Sequence, residues 1–467
     1  MKQGGFEESM TGLNMTMALN AKKLNPEKLN TVKYGRLKKK ETVPMFRPHL
    51  VTDIELSQPL PALRASKTYS EALLLVRLHS YPIAHVAVTL ERSFTPGELA
   101  KELWENLAPS INTFLKRHGL DAATSLSDPR LEDLGLSLKA RRDAFRSRAP
   151  FASVVICTRD RAESLERCLE SVIALDYPNF EIVLIDNAPK TDATLRVVEK
   201  FKARGVELRY VLEPKAGLSI ARNTALKHIR GEFMACIDDD EAADRYWLLE
   251  LAQGFEREEN VTAVSSVIVP AELETQAQVW FEEFGGHSKG RGFTPDIFNI
   301  TTHYKQSPLF PAPPFGTGGS MAFKTDAIRE IGFDTTLGAG TPVQASEDTA
   351  TFFDVLMAGQ TIVYQPSAIM RHYHRRDLPS LRAQLRGYGL GLTAFYLRSF
   401  RKHPKMILEF LGMLPKALFY MFSPTSERQA TMQTFPRELS QVQRRAMLEG
   451  FTAYIKSCKQ SLKMSHS

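Results

Sequence analysis

Between residues 151 and 240, short apolar runs alternate with helical stretches, and that rhythm leaves few folds open. Residues 151–160, 181–187, 207–212 and 233–240 each carry a run too short for a helix and apolar at consecutive positions, as in a strand buried on both faces. A helix with Leu165, Cys168, Leu169, Val172 and Ile173 at helical spacing follows the first run, and another, over 218–229, precedes the last. Strands and helices in alternation, joined by short connections, predict an α/β fold: a Rossmann-like, mostly parallel sheet with helices on both faces.

In such sheets ligands sit outside the carboxyl ends of the strands, and polar residues collect there. Thr158 and Asp186 fall at two strand exits, and the fourth run ends in Asp238, Asp239 and Asp240. Two carboxylates about 4 Å apart repel by roughly 4 kcal/mol at an effective dielectric near 20, so such a cluster calls for a cation or a shared proton. A hard divalent metal with oxygen ligands is the natural relief. The connection after the first strand, Cys157-Thr158-Arg159-Asp160-Arg161, has no glycine, which argues against dinucleotide binding. Gly285-Gly286-His287-Ser288-Lys289-Gly290-Arg291-Gly292 ends in Arg-Gly where a phosphate-binding P-loop needs Lys and a hydroxyl.

Four further segments complete a pattern. Thr158, Arg159 and Arg161 with Leu165, then Ile185-Asp186-Asn187, then Gly217-Leu218-Ser219-Ile220-Ala221-Arg222-Asn223, precede the three aspartates. Gly316-Thr317-Gly318-Gly319-Ser320, Ile331-Gly332-Phe333-Asp334, Leu337-Gly338-Ala339-Gly340 and Ser346-Glu347-Asp348-Thr349 follow them. In this order and spacing, about residues 150–375 resemble the inverting, nucleotide-sugar-dependent glycosyltransferases of family 2, with the GT-A fold. The resemblance implies that Asp186 hydrogen-bonds the donor base and that Thr158 lines the base pocket. It implies that Asp238 and Asp240 are the outer members of an Asp-x-Asp motif, with Asp239 between them, meeting the donor ribose and a metal-bound diphosphate. The implied cofactor is a divalent metal, Mn2+ or Mg2+. The expected donor is a UDP-sugar, and a carboxylate that can accept the uracil imide proton is consistent with it. Arg222 is either a partner for phosphate or carboxylate, or one half of an ion pair on its helix surface.

Inversion at the sugar needs a base on the face opposite the leaving group, and Glu347 and Asp348 open a predicted helix over 349–357. By resemblance Asp348 is that base and Glu347 supports it, although an Asp at a helix start is often only a cap. His372 and His374, in Arg371-His372-Tyr373-His374-Arg375-Arg376, project to one side of an extended chain. By resemblance either is a candidate metal ligand, His372 slightly the better because it lies nearer the strand, with a surface basic cluster as the other reading. Two departures bear on the acceptor: Gly318-Gly319-Ser320 stands where many relatives carry Gly-x-Asn, and Gln384-Leu385-Arg386-Gly387-Tyr388 lacks the Arg and Trp of processive relatives. Transfer of one sugar per encounter follows.

Charge is unevenly placed. Residues 1–50 hold 10 Lys/Arg against 4 Asp/Glu and residues 398–467 hold 12 against 4, so with a net charge of +7 the stretch between is about −7. The core is therefore a poor nucleic-acid binder. The chain divides into a basic, disordered arm (1–60), an accessory α+β module and linker (61–148), the GT-A domain (149–376) and a basic helical C-terminal region (377–467). Within the module, a hairpin turning at Ser80-Tyr81-Pro82 precedes a helix over 96–117 capped by Thr95, and 128–148 reads as a charged linker. Residues 401–422 mix cations with apolar side chains, but Glu409, Pro415 and Lys416 interrupt them. They fit lying on an anionic bilayer, or packing as helices on the core. Residues 1–40 lack an apolar stretch of signal-peptide length, and Cys157, Cys168, Cys236 and Cys458 have no metal spacing. The expected location is cytoplasmic, peripheral at the inner face of the plasma membrane. Expected partners are a nucleotide-sugar donor and a saccharide or lipid-linked acceptor of surface polysaccharide or glycolipid synthesis, with the loop over 285–315 as an acceptor lid. A sugar nucleotidyltransferase and an inactive carbohydrate-binding scaffold are the alternatives; the first lacks its glycine-rich loop, and the retained acids argue against the second.

Overall fold

The computed structural model describes residues 46–300, 309, 315–423, 425–426, 428, 431–432 and 434–465. Most of the basic arm, and residues 301–308 and 310–314 of the expected lid, lie outside the described residues. An N-terminal module has strands β1 (His49–Glu55), β2 (Glu71–Leu78) and β3 (Tyr81–Thr89) and helices α1 (Pro96–Arg117) and α2 (Arg130–Arg146). β1 runs parallel to β2, and β2 pairs antiparallel with β3 through a turn at His79 and Ser80, both at positive φ. α1 begins as expected: the Thr95 hydroxyl accepts from the Glu98 amide while the Glu98 carboxylate takes the Thr95 amide.

Two sequence expectations are corrected here. β1 lies inside the supposed arm; its half-buried residues give too weak a pattern to read, and it is ordered by pairing with β2 and by a bridge from His49 to Leu273. The linker is largely a helix. In α2, Leu131, Leu134, Leu138, Arg142 and Phe145 are buried on one stripe, which the dense surrounding charge obscures in the sequence.

The catalytic domain follows as β4 (Ala152–Thr158), α3 (Ala162–Ile173), β5 (Phe180–Asn187), α4 (Ala193–Ala203), β6 (Arg209–Glu213), α5 (Leu218–Leu226), β7 (Phe233–Asp238), β8 (Glu241–Ala243), α6 (Trp247–Gly254), β9 (Val261–Pro270), α7 (Gln276–Glu283), β10 (Asp296–Phe298), β11 (Ser320–Lys324), α8 (Thr325–Ile331), α9 (Glu347–Met357) and β12 (Thr361–His372). The sheet order is β10-β12-β9-β11-β7-β4-β5-β6, with β8 on β12. β7, β4, β5 and β6 are parallel, as are β9 and β12, whereas β11 runs against both of its neighbours. Side chains alternate between two apolar layers: Val154 and Ile156 meet α3 through Leu165 and Leu169, and Val155 meets α5 and α9 through Ala221 and Phe352. This is the GT-A arrangement.

Two pairings position the site. Because β11 is antiparallel to β7, its first residue Ser320 lies opposite Ile237, which brings Gly318 and Gly319 level with Asp238. The last residue of β12, His372, lies opposite Glu241, and the Tyr373 amide bonds the Asp240 carbonyl (3.0 Å). The C-terminal helices are α10 (Leu378–Lys402), α11 (Met406–Phe422) and α12 (Arg437–Ser465). α10 and α12 approach so closely that a Cβ on Gly389 would lie 2.3 Å from the Gln443 carbonyl oxygen. The N-terminal module docks on the α/β domain through a buried ion pair, Arg142 to Glu250 (2.9 Å), and a half-buried one, Arg77 to Asp244 (2.8 Å).

Candidate active site

β7 is a run of buried apolar residues whose pairing with β4 ends at Asp238, so the three aspartates emerge together into a turn. Asp239 and Asp240 are buried and Asp238 is half-buried. The like charges are met by cations. Arg161, from the connection after β4, donates to Asp239 Oδ1 (2.9 Å) and Asp240 Oδ2 (3.0 Å), and Thr158 donates its hydroxyl to Asp239 Oδ2 (2.7 Å). Arg375, beyond β12, reaches Asp240 Oδ2 at 3.1 Å. On the other oxygen, Asp240 Oδ1 faces His372 Nε2 at 3.5 Å.

The later acids join from the opposite side. Buried Arg222 on α5 donates to Glu347 Oε1 (2.8 Å), to the Gly318 carbonyl (3.0 Å) and to Asp238 Oδ1 (3.3 Å). One guanidinium therefore ties the exit of β7, the turn before β11 and the start of α9. Asp348 Oδ2 accepts the Gly318 amide (2.6 Å) and Oδ1 its neighbour's, Thr349 (2.6 Å). The turn into α9 is tight: Ser346 has φ of 74°, and the glycines around it leave room for the acids. A Cβ on Gly318 would lie 2.9 Å from the Asp348 Cβ, and one on Gly319 would lie 2.2 Å from Glu241 Oε1.

Electrostatics follow from burial and neighbours. Burial raises Asp238, Asp240 and Asp239 raise it further, and Arg222 opposes. Burial also works to raise Asp240, but the cations Arg375 and Arg161 overcome it and leave this carboxyl below its usual range. Burial pushes His372 down to about 3, so at neutral pH the ring is uncharged and Arg375 and Arg161 supply the balancing charge. Glu347 is raised to about 7, first by burial and then by Asp348, against the pull of Arg222. Glu241, buried beside Asp238, is pushed well above its ordinary value by burial and by the two neighbouring acids.

Asp238, Asp239, Asp240, Thr158, Arg222, Glu347, Asp348 and His372 are thus brought together. Arg222 is buried in a network, which settles its alternative: it is not a surface ion pair. His374 stands apart from Asp240; its Nδ1 meets His372 Nδ1 (2.7 Å) and its Nε2 meets Glu282 Oε1 (2.8 Å). Asp186, next to last in β5, pairs beside Thr158 but is 1% exposed and accepts the Tyr210 hydroxyl (2.9 Å). Burial raises its carboxyl, partly offset by the Tyr210 and Thr194 hydroxyls. The next residue, Asn187, holds α5 in place by accepting the Gly217 amide and donating to the Lys215 carbonyl, both at 2.8 Å.

Arg161, Arg375, Glu241 and Glu282 take no role in the sequence reading. Arg161 lies in view within the Thr158 motif, and Arg375 beside the two histidines. Glu282, 92 residues before His374, carries no local signal.

The family model for glycosyl transferase family 2 matches residues 153–332. Among curated proteins, the chain is 26% identical over 227 residues to a glucosyl-dolichyl phosphate glucuronosyltransferase of Haloferax volcanii, covering 47% of this chain and 68% of that one. It is 26% identical over 261 residues to the succinoglycan biosynthesis protein ExoM of Rhizobium meliloti, covering 54% and 74%. A solved mannosyltransferase from Pyrobaculum calidifontis, in complex with GDP-Man and Mn2+, aligns over 71% of this chain and 91% of that one at 18% identity and a TM-score of 0.42. The matched segment spans β4 to α8 and carries the strand-exit acids, so residues 153–332 form a glycosyltransferase family 2 domain.

Proposed function

We propose that this glycosyltransferase is metal-dependent and inverting, and that it transfers one sugar at a time from a UDP-sugar to a saccharide or lipid-linked acceptor. The observation that carries the reading is the Arg222 bridge, which sets Glu347 and Asp348 across from Asp238 at one cleft. An ionised carboxylate offers about four acceptor positions, and Asp348 spends one on each backbone amide, so capacity remains for an acceptor hydroxyl proton. Asp348 would take that proton as the hydroxyl oxygen attacks the anomeric carbon.

The residues around Asp240 fit a divalent ion. Two donors each about 2.1 Å from one ion lie roughly 3.0–3.5 Å apart at angles near 90–110°. Asp240 Oδ1 and the neutral His372 Nε2 are 3.5 Å apart. Mn2+ or Mg2+ held there would neutralise the charge that develops on the departing diphosphate. Arg161 and Arg375, already on the far oxygen of Asp240, are placed to pair with phosphate oxygens.

No helix among the described residues is long and apolar enough to cross a membrane. α11 nonetheless exposes Leu408, Leu411, Phe419 and Phe422 near Lys405 and Lys416, which supports seating on an anionic bilayer where a lipid-linked acceptor would be met. Incubating the protein with a panel of nucleotide-sugars, with Mn2+ or with EDTA, tests the function. Release of nucleoside diphosphate from one donor, in Mn2+ only, is expected. An undiminished rate in EDTA, or no turnover of any donor with metal, would contradict it.

A further inference from the structure

Behind His372, on the side away from Asp240, runs a chain of short contacts. Glu282 Oε1 lies 2.8 Å from His374 Nε2, and His374 Nδ1 lies 2.7 Å from His372 Nδ1. Both histidines are buried, and the edge of the Phe281 ring packs on His374 (4.8 Å between centroids, 72° between planes). Glu282 is seated against Gly286, where a Cβ would fall 2.3 Å from its Oε1. Gln278 donates to the His374 carbonyl (3.3 Å) from the same helix that carries Glu282.

The positions of the protons follow from what each group can do. A carboxylate only accepts, so His374 Nε2 carries the hydrogen it gives to Glu282. The lone pair of a neutral His374 then sits on Nδ1 and must accept from His372 Nδ1–H. That leaves the His372 lone pair on Nε2, the nitrogen facing Asp240. The opposite arrangement, with both His374 nitrogens protonated, would put a hydrogen on His372 Nε2. At 3.5 Å that N–H would make only a long, weak contact with Asp240 Oδ1, and it would leave no lone pair on Nε2 for a cation. His287 brings a third ring nitrogen within 4.8 Å of the other two. The 2.7 Å between the facing Nδ1 atoms is a hydrogen-bond distance, however, shorter than the roughly 3 Å separating two nitrogens on one ion.

We infer that Glu282 and His374 are positioning residues that set the tautomer of His372, presenting its Nε2 lone pair to a divalent cation shared with Asp240. This rests on the reading of His372 as a metal ligand. A buried hydrogen-bond chain of this kind both aims a ligating ring and raises its basicity.

Two measurements test it. In metal-free protein labelled with 15N-histidine, the His372 ring is expected to show a protonated Nδ1 and an unprotonated Nε2, and His374→Ala and Glu282→Ala to mix the two tautomers. Mn2+ affinity in the presence of UDP, followed by the EPR signal of free Mn2+, should fall about 10–100-fold in both alanine variants. His374→Asn, whose Oδ1 can accept from His372 Nδ1, and Glu282→Gln, which keeps an acceptor, should restore most of it. Because the two alanine variants act at different links of the chain, loss of fold in one leaves the other informative. A wild-type His372 protonated at Nε2, or unchanged Mn2+ affinity in both alanine variants while His372→Ala loses the ion, overturns the inference. Unchanged Mn2+ affinity in His372→Ala overturns the ligand assignment beneath it.

Discussion

Arg222 and Glu347, 125 residues apart in the chain, form a buried ion pair at 2.8 Å, and through it the start of α9 is fixed against the exit of β7. Neither charge has water to fall back on, so removing one leaves the other uncompensated. Arg222→Ala should lower stability by about 3–5 kcal/mol in urea denaturation. Arg222→Lys should recover little, because a point charge cannot serve Glu347, Asp238 and the Gly318 carbonyl together. A loss below about 1 kcal/mol, as an exposed pair would give, contradicts this role.

The same pair makes stability depend on pH. Glu347 rises from its ordinary 4.5 to about 7, by burial first. An acid raised on folding stabilises in full below its unfolded value, and that contribution drains as pH climbs through the folded value. Across this window wild type should lose about 3 kcal/mol relative to Glu347→Gln, since each pH unit between the two values is worth roughly 1.4 kcal/mol. Urea midpoints for both proteins, taken from pH 4.5 to pH 8, read it. Parallel curves would show that Glu347 does not titrate there.

Gly318 is the contact through which backbone meets Asp348, the proposed base. Its added methyl would sit 2.9 Å from the Asp348 Cβ and push the carboxylate off its two amides. Gly318→Ala should lower kcat on the order of tenfold to a hundredfold, as small misplacements of a reacting group do. Donor affinity by calorimetry should hardly change. A wild-type kcat would mean that the position of Asp348 is not critical.

Much of this architecture is legible in the sequence alone. The alternation of apolar runs and helices sets the parallel strands, and a run ending in Asp238 can only deliver its acids to the sheet edge. What escapes depends on contacts between distant segments. α2 packs Leu131, Leu134 and Leu138 beneath a surface so charged that its periodicity reads as a linker. β1 is a strand only because β2 lies beside it. Arg161 and Arg375 converge on Asp240 from positions more than 200 residues apart, and nothing local marks Arg375 as a partner of that acid. In sequence His372 has only a slight edge over His374, from lying nearer the strand; the end of β12 turns the first toward Asp240 and the second toward Glu282.

The central claim is that Asp348 is the base facing the acids of β7, and Asp348→Asn tests it most directly. Asparagine keeps the shape and can still accept from Gly318, but it cannot take a proton. With Mn2+ present, donor binding by calorimetry should match wild type while single-turnover transfer falls about 10²–10⁴-fold, the range a general base contributes. Transfer at the wild-type rate, with donor binding intact, would contradict the account.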